Sequence, residues 1–144
     1  MIEYSVSGHK LLAMDARNSN AQRFRNSRFV HSLCVMHGLD AVLILSNPSL
    51  TGADFSAEAY GSDGSALRLS EGGEEDLCCS LALVAFADLL GVRPFHSADY
   101  SFEAEGIALR AQIHSQMGEC KRVSIYREEK TLGTGEALCL GEFI

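Results

Sequence analysis

The most apolar stretch of the chain lies near its middle, at residues 77–90, and reads LCCSLALVAFADLL. Its apolar residues fall on every side of a helix, and a helix that is apolar all round must be buried all round. Glu74, Glu75 and Asp76 stand at its start, where the helix dipole favours negative charge, and Gly91 follows its end. The pattern therefore predicts a buried helix from about Glu74 to Leu90.

Short alternating or apolar segments on both sides of this helix are typical of β-strands. Before the helix they lie at residues 3–6, 11–15 and 41–46, with another ending near Tyr60. After it they lie in SFEAEGIALRAQI, KRVSIY and EALCLGEFI, with Gly118 and residues 133–135 as the breaks between them. Asp63-Gly64 is a type I′ turn signal and predicts a hairpin over SDGSALRL.

A second helix is predicted over residues 20–37, ending at Gly38. Four apolar residues recur there at helical spacing: Phe24, Phe29, Leu33 and Met36. Together the elements predict an α+β fold in which a mainly antiparallel sheet wraps around one buried central helix, with one amphipathic helix in addition. The length of 144 residues suits a single domain spanning residues 1–144.

Charge and hydropathy exclude some classes of partner. The formal net charge is −7, from 12 basic and 19 acidic residues, and no basic stripe offers the counter-charge that nucleic acid or an anionic membrane requires. The opening MIEYSVSGHKLLAMD has no continuous apolar segment, and no apolar run reaches about 18 residues. We expect a soluble, cytoplasmic protein that binds neither nucleic acid nor a membrane.

Five cysteines are scattered through the chain, an odd number in a protein too large to need a disulfide framework. We therefore expect reduced thiols. No pair has the spacing of a structural zinc site, and the five histidines form no H-x3-H pair. A metal site is not expected.

Several motifs, in order along the chain, resemble those of the diaminopimelate epimerases. GHKLLAMD (residues 8–15) is similar to the family's opening GNDFVVxD strand, and HGLDAVLIL (37–45) to its FGIGxDGLLL segment. SDGS (62–65) matches its ADGS turn, and TGEALCLGE (134–142) resembles its closing TGPAxxVFxGE strand. The resemblance implies the first of the family's two similar domains together with the strand that completes it, without the second domain. The proline racemases, looser relatives with the same fold, are an alternative.

The resemblance also implies a chemistry. The family moves an α-proton with two cysteines and no cofactor, each thiol lying at a helix N-terminus where backbone N–H groups hold the substrate carboxylate. Here Ser70 stands at the first cysteine, and an alkoxide is too basic to accept an α-proton unaided near neutral pH. Glu71-Gly72-Gly73 replaces the family's GNG, while His9 and Gly61 replace asparagines that contact substrate. These departures predict lost epimerase activity.

The same residues have simpler interpretations. Ser70 would suit an ordinary N-cap or a turn, and the acids at the helix start complement its dipole. Cys78 and Cys79 could replace the lost thiol, but inside an apolar run they are expected to pack as small hydrophobes. The candidate ligand-binding residues are His9, Gly61, Ser70, Glu71, Gly72 and Gly73.

Two functions follow as hypotheses. The first is a non-catalytic domain that binds a small amino-acid-like molecule or serves as a self-associating structural protein. The second is a cofactor-independent racemase or epimerase whose site is shared across a homodimer or with a companion chain. A homodimer is expected because a lone first domain would leave exposed the surface that meets the second one, and a copy of the chain could cover it.

Overall fold

Eight strands close into a barrel around a buried helix in the computed structural model, which describes residues 1–94 and 98–143. The strands are β1 (Ile2–Val6), β2 (His9–Asp15), β3 (Ala41–Ser46), β4 (Phe55–Gly61), β5 (Asp99–Ala104), β6 (Ile107–Met117), β7 (Cys120–Arg127) and β8 (Lys130–Glu142). The helices are α1 (Ser27–His37) and α2 (Glu74–Leu89), and short 3-10 turns cover Gln22–Arg25 and Leu69–Glu71.

Each strand pairs with the next in sequence, and β8 pairs with β1 to close the barrel. Six of the eight pairings are antiparallel, whereas β2–β3 and β4–β5 are parallel. Parallel neighbours need a crossover connection, and the connections that contain α1 and α2 supply the two. The prediction of a mainly antiparallel sheet is therefore correct only in part.

Helix α2 runs through the barrel and forms its core. Residues 78–87 are all buried, and side chains from all eight strands surround them in one hydrophobic cluster. The predicted burial of four helix residues is confirmed, at 2% exposure or less for Leu81, Val84, Ala85 and Phe86. Among residues 1–94 and 98–143, no helix combines the length and apolar composition that crossing a membrane requires.

Helix α1 packs outside the barrel through a narrow apolar face. Val30 and Cys34 are buried there against Leu12, Leu39 and Val42. The predicted helix over residues 20–37 is split at Asn26, because the Asn26 side chain accepts a hydrogen bond from the Phe29 N–H and caps a new helix. Met36 was expected on the buried face but is 75% exposed, since it lies two residues beyond Cys34 and so on the opposite side of the helix.

The hairpin predicted over SDGSALRL forms over only a short length. The Gly64 N–H donates to the Gly61 carbonyl at 2.8 Å, and the Asp63 carboxylate accepts from the Ser65 N–H. The returning segment pairs Ala66 with Tyr60. On either side of this bridge the Gly61 N–H donates to the Ser65 carbonyl, and the Leu67 N–H donates to the Ala59 carbonyl, both at 2.9 Å. The segment then turns away toward α2 instead of becoming a strand.

The glycines at residues 133–135 do not break the last strand, contrary to the prediction. Strand β8 continues through them, and α2 passes so close that little space remains for a side chain. A β-carbon at Gly133 would overlap the Leu77 side chain, and one at Gly135 would lie 2.7 Å from Leu81 Cδ1. These glycines mark a close approach of the helix to the sheet.

Candidate functional site

The candidate site lies where the chain enters α2. The 3-10 turn Leu69–Glu71 leads into Gly72, which is left-handed with φ 75°, and Gly73 caps the helix. Ser70 is only 3% exposed. Because Gly73 is the N-cap residue, Ser70 is not an N-cap, but it does lie in a turn, the other simple interpretation.

The polar groups of Ser70 are held by two residues that are distant in sequence. Its N–H and its hydroxyl both donate to Glu105 Oε1, at 3.2 and 3.1 Å. Its carbonyl accepts a hydrogen bond from Arg127 Nη1 at 3.1 Å. Both hydrogens that Ser70 could offer to a ligand are therefore directed to a carboxylate of the same chain.

The surroundings of this turn are rich in negative charge. Burial raises the pKa of the Asp76 carboxyl, and the neighbouring charges of Glu71 and Glu105 raise it further. Arg68 Nε lies 3.4 Å from Glu71 Oε1, and the positive charge of Arg68 offsets part of the negative charge of the turn. An anionic ligand at the same place would meet repulsion from these carboxylates.

The two thiols of α2 are poorly suited to act as nucleophiles. Cys78 and Cys79 are both buried. Burial raises the pKa of the Cys79 thiol well above its usual value, with a further contribution from Glu75. Burial also raises the pKa of Cys78, although a hydrogen bond with Ser7 opposes the shift. The thiol is thus the favoured form at both positions, as expected for packing residues.

The remaining candidate residues lie on β4 and β2, two strands that β3 separates. Gly61 ends β4 beside the first turn of α2, since a β-carbon there would lie 3.7 Å from Glu75 Oε1. His9 begins β2, and its Nδ1 lies 3.7 Å from Asp40 Oδ2. The structure thus groups Gly61 with the entry to α2 and pairs His9 with another residue. Among the residues described, no three His, Cys, Asp or Glu side chains are grouped to hold a metal ion.

Glu105 and Arg127 were missed by the sequence interpretation. Glu105 occupies the turn between β5 and β6 with φ 51°, a left-handed conformation that is uncommon for a residue other than glycine. The alternating segments on both sides of Glu105-Gly106 indicate a turn, but not the residue that it meets. Arg127, at the end of β7, carries no local signal at all.

Several solved structures share the fold of this chain. A phenazine biosynthesis protein of the PhzF family from Bacillus anthracis superposes with a TM-score of 0.61 at 13% identity, covering 86% of this chain and 38% of that one. A predicted epimerase from Pseudomonas aeruginosa gives 0.56 at 11% identity, covering 87% and 42%. A probable proline racemase from Agrobacterium radiobacter K84, solved with bound carbonate, gives 0.53 at 12%, covering 85% and 40%.

The chain has the diaminopimelate epimerase-like fold. The resemblance found in the sequence motifs is confirmed at the level of the fold. The chain spans about two fifths of the length of these solved structures. No family model and no curated protein sequence matches it.

Proposed function

We propose that this chain is a non-catalytic domain of the diaminopimelate epimerase-like fold that binds a small amino-acid-like molecule or serves as a self-associating structural protein. The observation that supports it is the state of Ser70. Where the related enzymes present a thiol, this chain has a hydroxyl whose hydrogen is directed to Glu105, 3.1 Å away.

Removal of an α-proton requires a base that is both accessible and matched in pKa to its task. Ser70 is buried, and its alkoxide form is too basic to arise unaided. The Glu105 carboxylate also accepts from the Ser70 backbone N–H. Both hydrogens of Ser70 are thus directed to an internal carboxylate, which disfavours the family's reaction at this residue.

The test is exchange of α-protons in deuterium oxide, followed by proton NMR over a panel of L- and D-amino acids that includes diaminopimelate and proline. We expect no exchange above a protein-free blank. Exchange of any member by the unmodified chain would contradict the proposal, provided that it disappears when Ser70→Ala and Glu105→Gln are introduced together.

A parallel titration separates the two non-catalytic roles. Gly61, Gly72 and Gly73 place three backbone amides at or beside the entry to α2, and glycine amides resolve well in ¹H–¹⁵N spectra. Shifts of these amides that saturate with one class of amino acid would support small-molecule binding. Unshifted amides throughout the panel would argue against binding of an amino acid at this end of α2.

The alternative is a cofactor-independent racemase or epimerase that completes its site across a homodimer or with a companion chain. It is favoured by the epimerase and the proline racemase among the solved structures that share the fold. It requires the Ser70 ends of two domains to face one cleft. Exchange that rises with the square of protein concentration would support it.

Self-association is the part of the proposal that can be measured first. We expect the interface either near the Ser70 end of α2 or along a free sheet edge, since β1 pairs with only residues 138–142 of β8. Sedimentation at micromolar concentration should show a dimer, and a monomer of 15.6 kDa would contradict it.

Two charge reversals locate the interface. Glu74 is exposed at the first position of α2, and Glu142 is exposed near the other end of the barrel, where β8 pairs with Ile2. We expect Glu74→Arg to weaken the dimer and the matched Glu142→Arg to leave it unchanged. The reverse pattern would place the interface at the other end.

A further inference from the structure

A cavity of about 170 Å³ lies at the opposite end of the barrel, beside the last turn of α2. Ala85 and Leu89 of α2 and the ring of Tyr4 give it apolar walls. Lys121 of β7 and Cys139 of β8 also line it, and Glu119 stands on the same hairpin as Lys121, at the exposed rim. None of these residues belongs to the site at the entry to α2.

Lys121 is the unusual member of this set because it is a buried cation. It pairs with Asp88 of α2, and both side chains are only 10% exposed. The other Asp88 oxygen accepts a hydrogen bond from the Tyr100 hydroxyl at 2.8 Å. An ammonium carries three N–H donors, and the ion pair with Asp88 uses one of them. The others can serve a molecule in the cavity.

We propose that this cavity binds a small uncharged molecule, about the size of a six-membered ring, that carries a carbonyl or hydroxyl oxygen. Its volume is close to that of an engineered cavity of about 150 Å³ that holds benzene. The ring packs against Ala85, Leu89 and Tyr4, and the oxygen accepts a hydrogen bond from the Lys121 ammonium.

The charges of the site select a neutral ligand. Asp88 already balances the charge of Lys121, so an anion would find no unpaired cation. Glu119 at the rim adds a negative charge, and the carboxyl end of α2 contributes the negative pole of the helix dipole. A purely apolar molecule of the same size would leave the ammonium donors without a partner, at the cost of desolvating them.

Cys139 provides a readout inside the cavity. We would label it with a small neutral thiol reagent in a Cys120→Ser background, because Cys120 is the other partly exposed thiol. The probes are cyclohexanone, methylcyclohexane and cyclohexanecarboxylate. Cyclohexanone should slow labelling of Cys139 at a concentration of about 1 mM, which is typical for a weak ligand. The other two should protect about tenfold less well, the factor that a hydrogen bond is worth.

Variants confirm where the protection comes from. Ala85→Leu fills the cavity and should abolish the protection, while the matched change at an exposed position, Ala66→Leu, should not alter it. Lys121→Met combined with Asp88→Asn removes both charges together and should leave cyclohexanone and methylcyclohexane equally protective. If Ala85→Leu does not fold, the double variant of Lys121 and Asp88 tests the proposal on its own.

Three outcomes would overturn the proposal. The first is no protection of Cys139 by cyclohexanone, together with an unshifted Gly118 amide in ¹H–¹⁵N spectra. The second is equal protection by all three probes in the unmodified chain. The third is protection that survives Ala85→Leu or keeps its preference for the ketone in the double variant.

Discussion

Truncation of Leu81 to alanine tests the central feature of the fold, the burial of α2. Leu81 is 2% exposed and lies in the middle of the helix. Its Cδ1 atom faces Gly135 of β8, where a β-carbon would lie only 2.7 Å away. Because this neighbour has no side chain, it cannot rotate one into the space that the substitution leaves.

The expected cost has two parts. Leucine to alanine removes three carbon atoms, and at about 0.8 kcal/mol for each buried group the lost transfer free energy is about 2.4 kcal/mol. A void of roughly 50 Å³ that stays empty adds about 1.2 kcal/mol at the usual cavity coefficient. We therefore expect the free energy of unfolding to fall by about 3–4 kcal/mol, within the range of about 2–5 kcal/mol seen for such changes.

The measurement is urea unfolding followed by circular dichroism, with Leu89→Ala as the matched control. Leu89 lies on the same helix but is 53% exposed, so its truncation should cost less than about 1 kcal/mol. A loss below about 1 kcal/mol for Leu81→Ala, with an unchanged denaturant slope, would mean that α2 is not enclosed by strands.

Three further predictions concern other parts of the barrel. Gly133→Ala should destabilise the protein by about 1–3 kcal/mol through overpacking against Leu77, and an unchanged unfolding midpoint in urea would contradict the close approach of α2 to β8. Glu103 is buried and accepts hydrogen bonds from the Ser49 N–H and hydroxyl, and the backbone bond in particular lowers its pKa. The ionised Glu103 carboxylate therefore stabilises the protein above the unfolded carboxyl pKa of 4.5, and this stabilisation is lost as pH falls through the lower folded pKa. Glu103→Gln should lower the free energy of unfolding at neutral pH. It should also make the loss of stability on acidification less steep. Cys79 should react with a thiol reagent far more slowly in the native state than in urea, and equal rates would show that it is accessible.

Local patterns explain which parts of the fold could be predicted. The apolar surface of α2 and the alternation or apolar runs of β1, β2 and β3 are properties of short segments, and these elements lie where the sequence indicated. The parallel pairings and the closure of the barrel depend on contacts between distant segments, which no local pattern encodes. Gly133 and Gly135 were misread for the same reason, since a glycine in a strand can mark a turn or the close approach of another element.

The candidate site shows the same limit more strongly. Ser70 could be found because a motif surrounds it, but Glu105 and Arg127 reach it from 35 and 57 residues further along the chain. The departures from the family motif at residues 70–73 predict that the family's chemistry is lost. They do not reveal that the Ser70 N–H and hydroxyl are held by the carboxylate of Glu105, which is why the identity of Ser70 alone could not define the state of the site.

The enclosure of α2 restricts where this protein can carry out polar chemistry. Between residues 78 and 87 the helix offers the barrel only buried side chains, so charged groups can reach it only at its two ends. At the first end, the acids agree with the helix dipole, and the Glu105 carboxylate holds Ser70 just before the helix. At the second end, Asp88 opposes the dipole, and the ammonium of Lys121, a residue that lines the cavity, compensates for it. A test of ligand binding at one end of α2 therefore cannot replace a test at the other end. Only the absence of binding at both ends would leave a purely structural role.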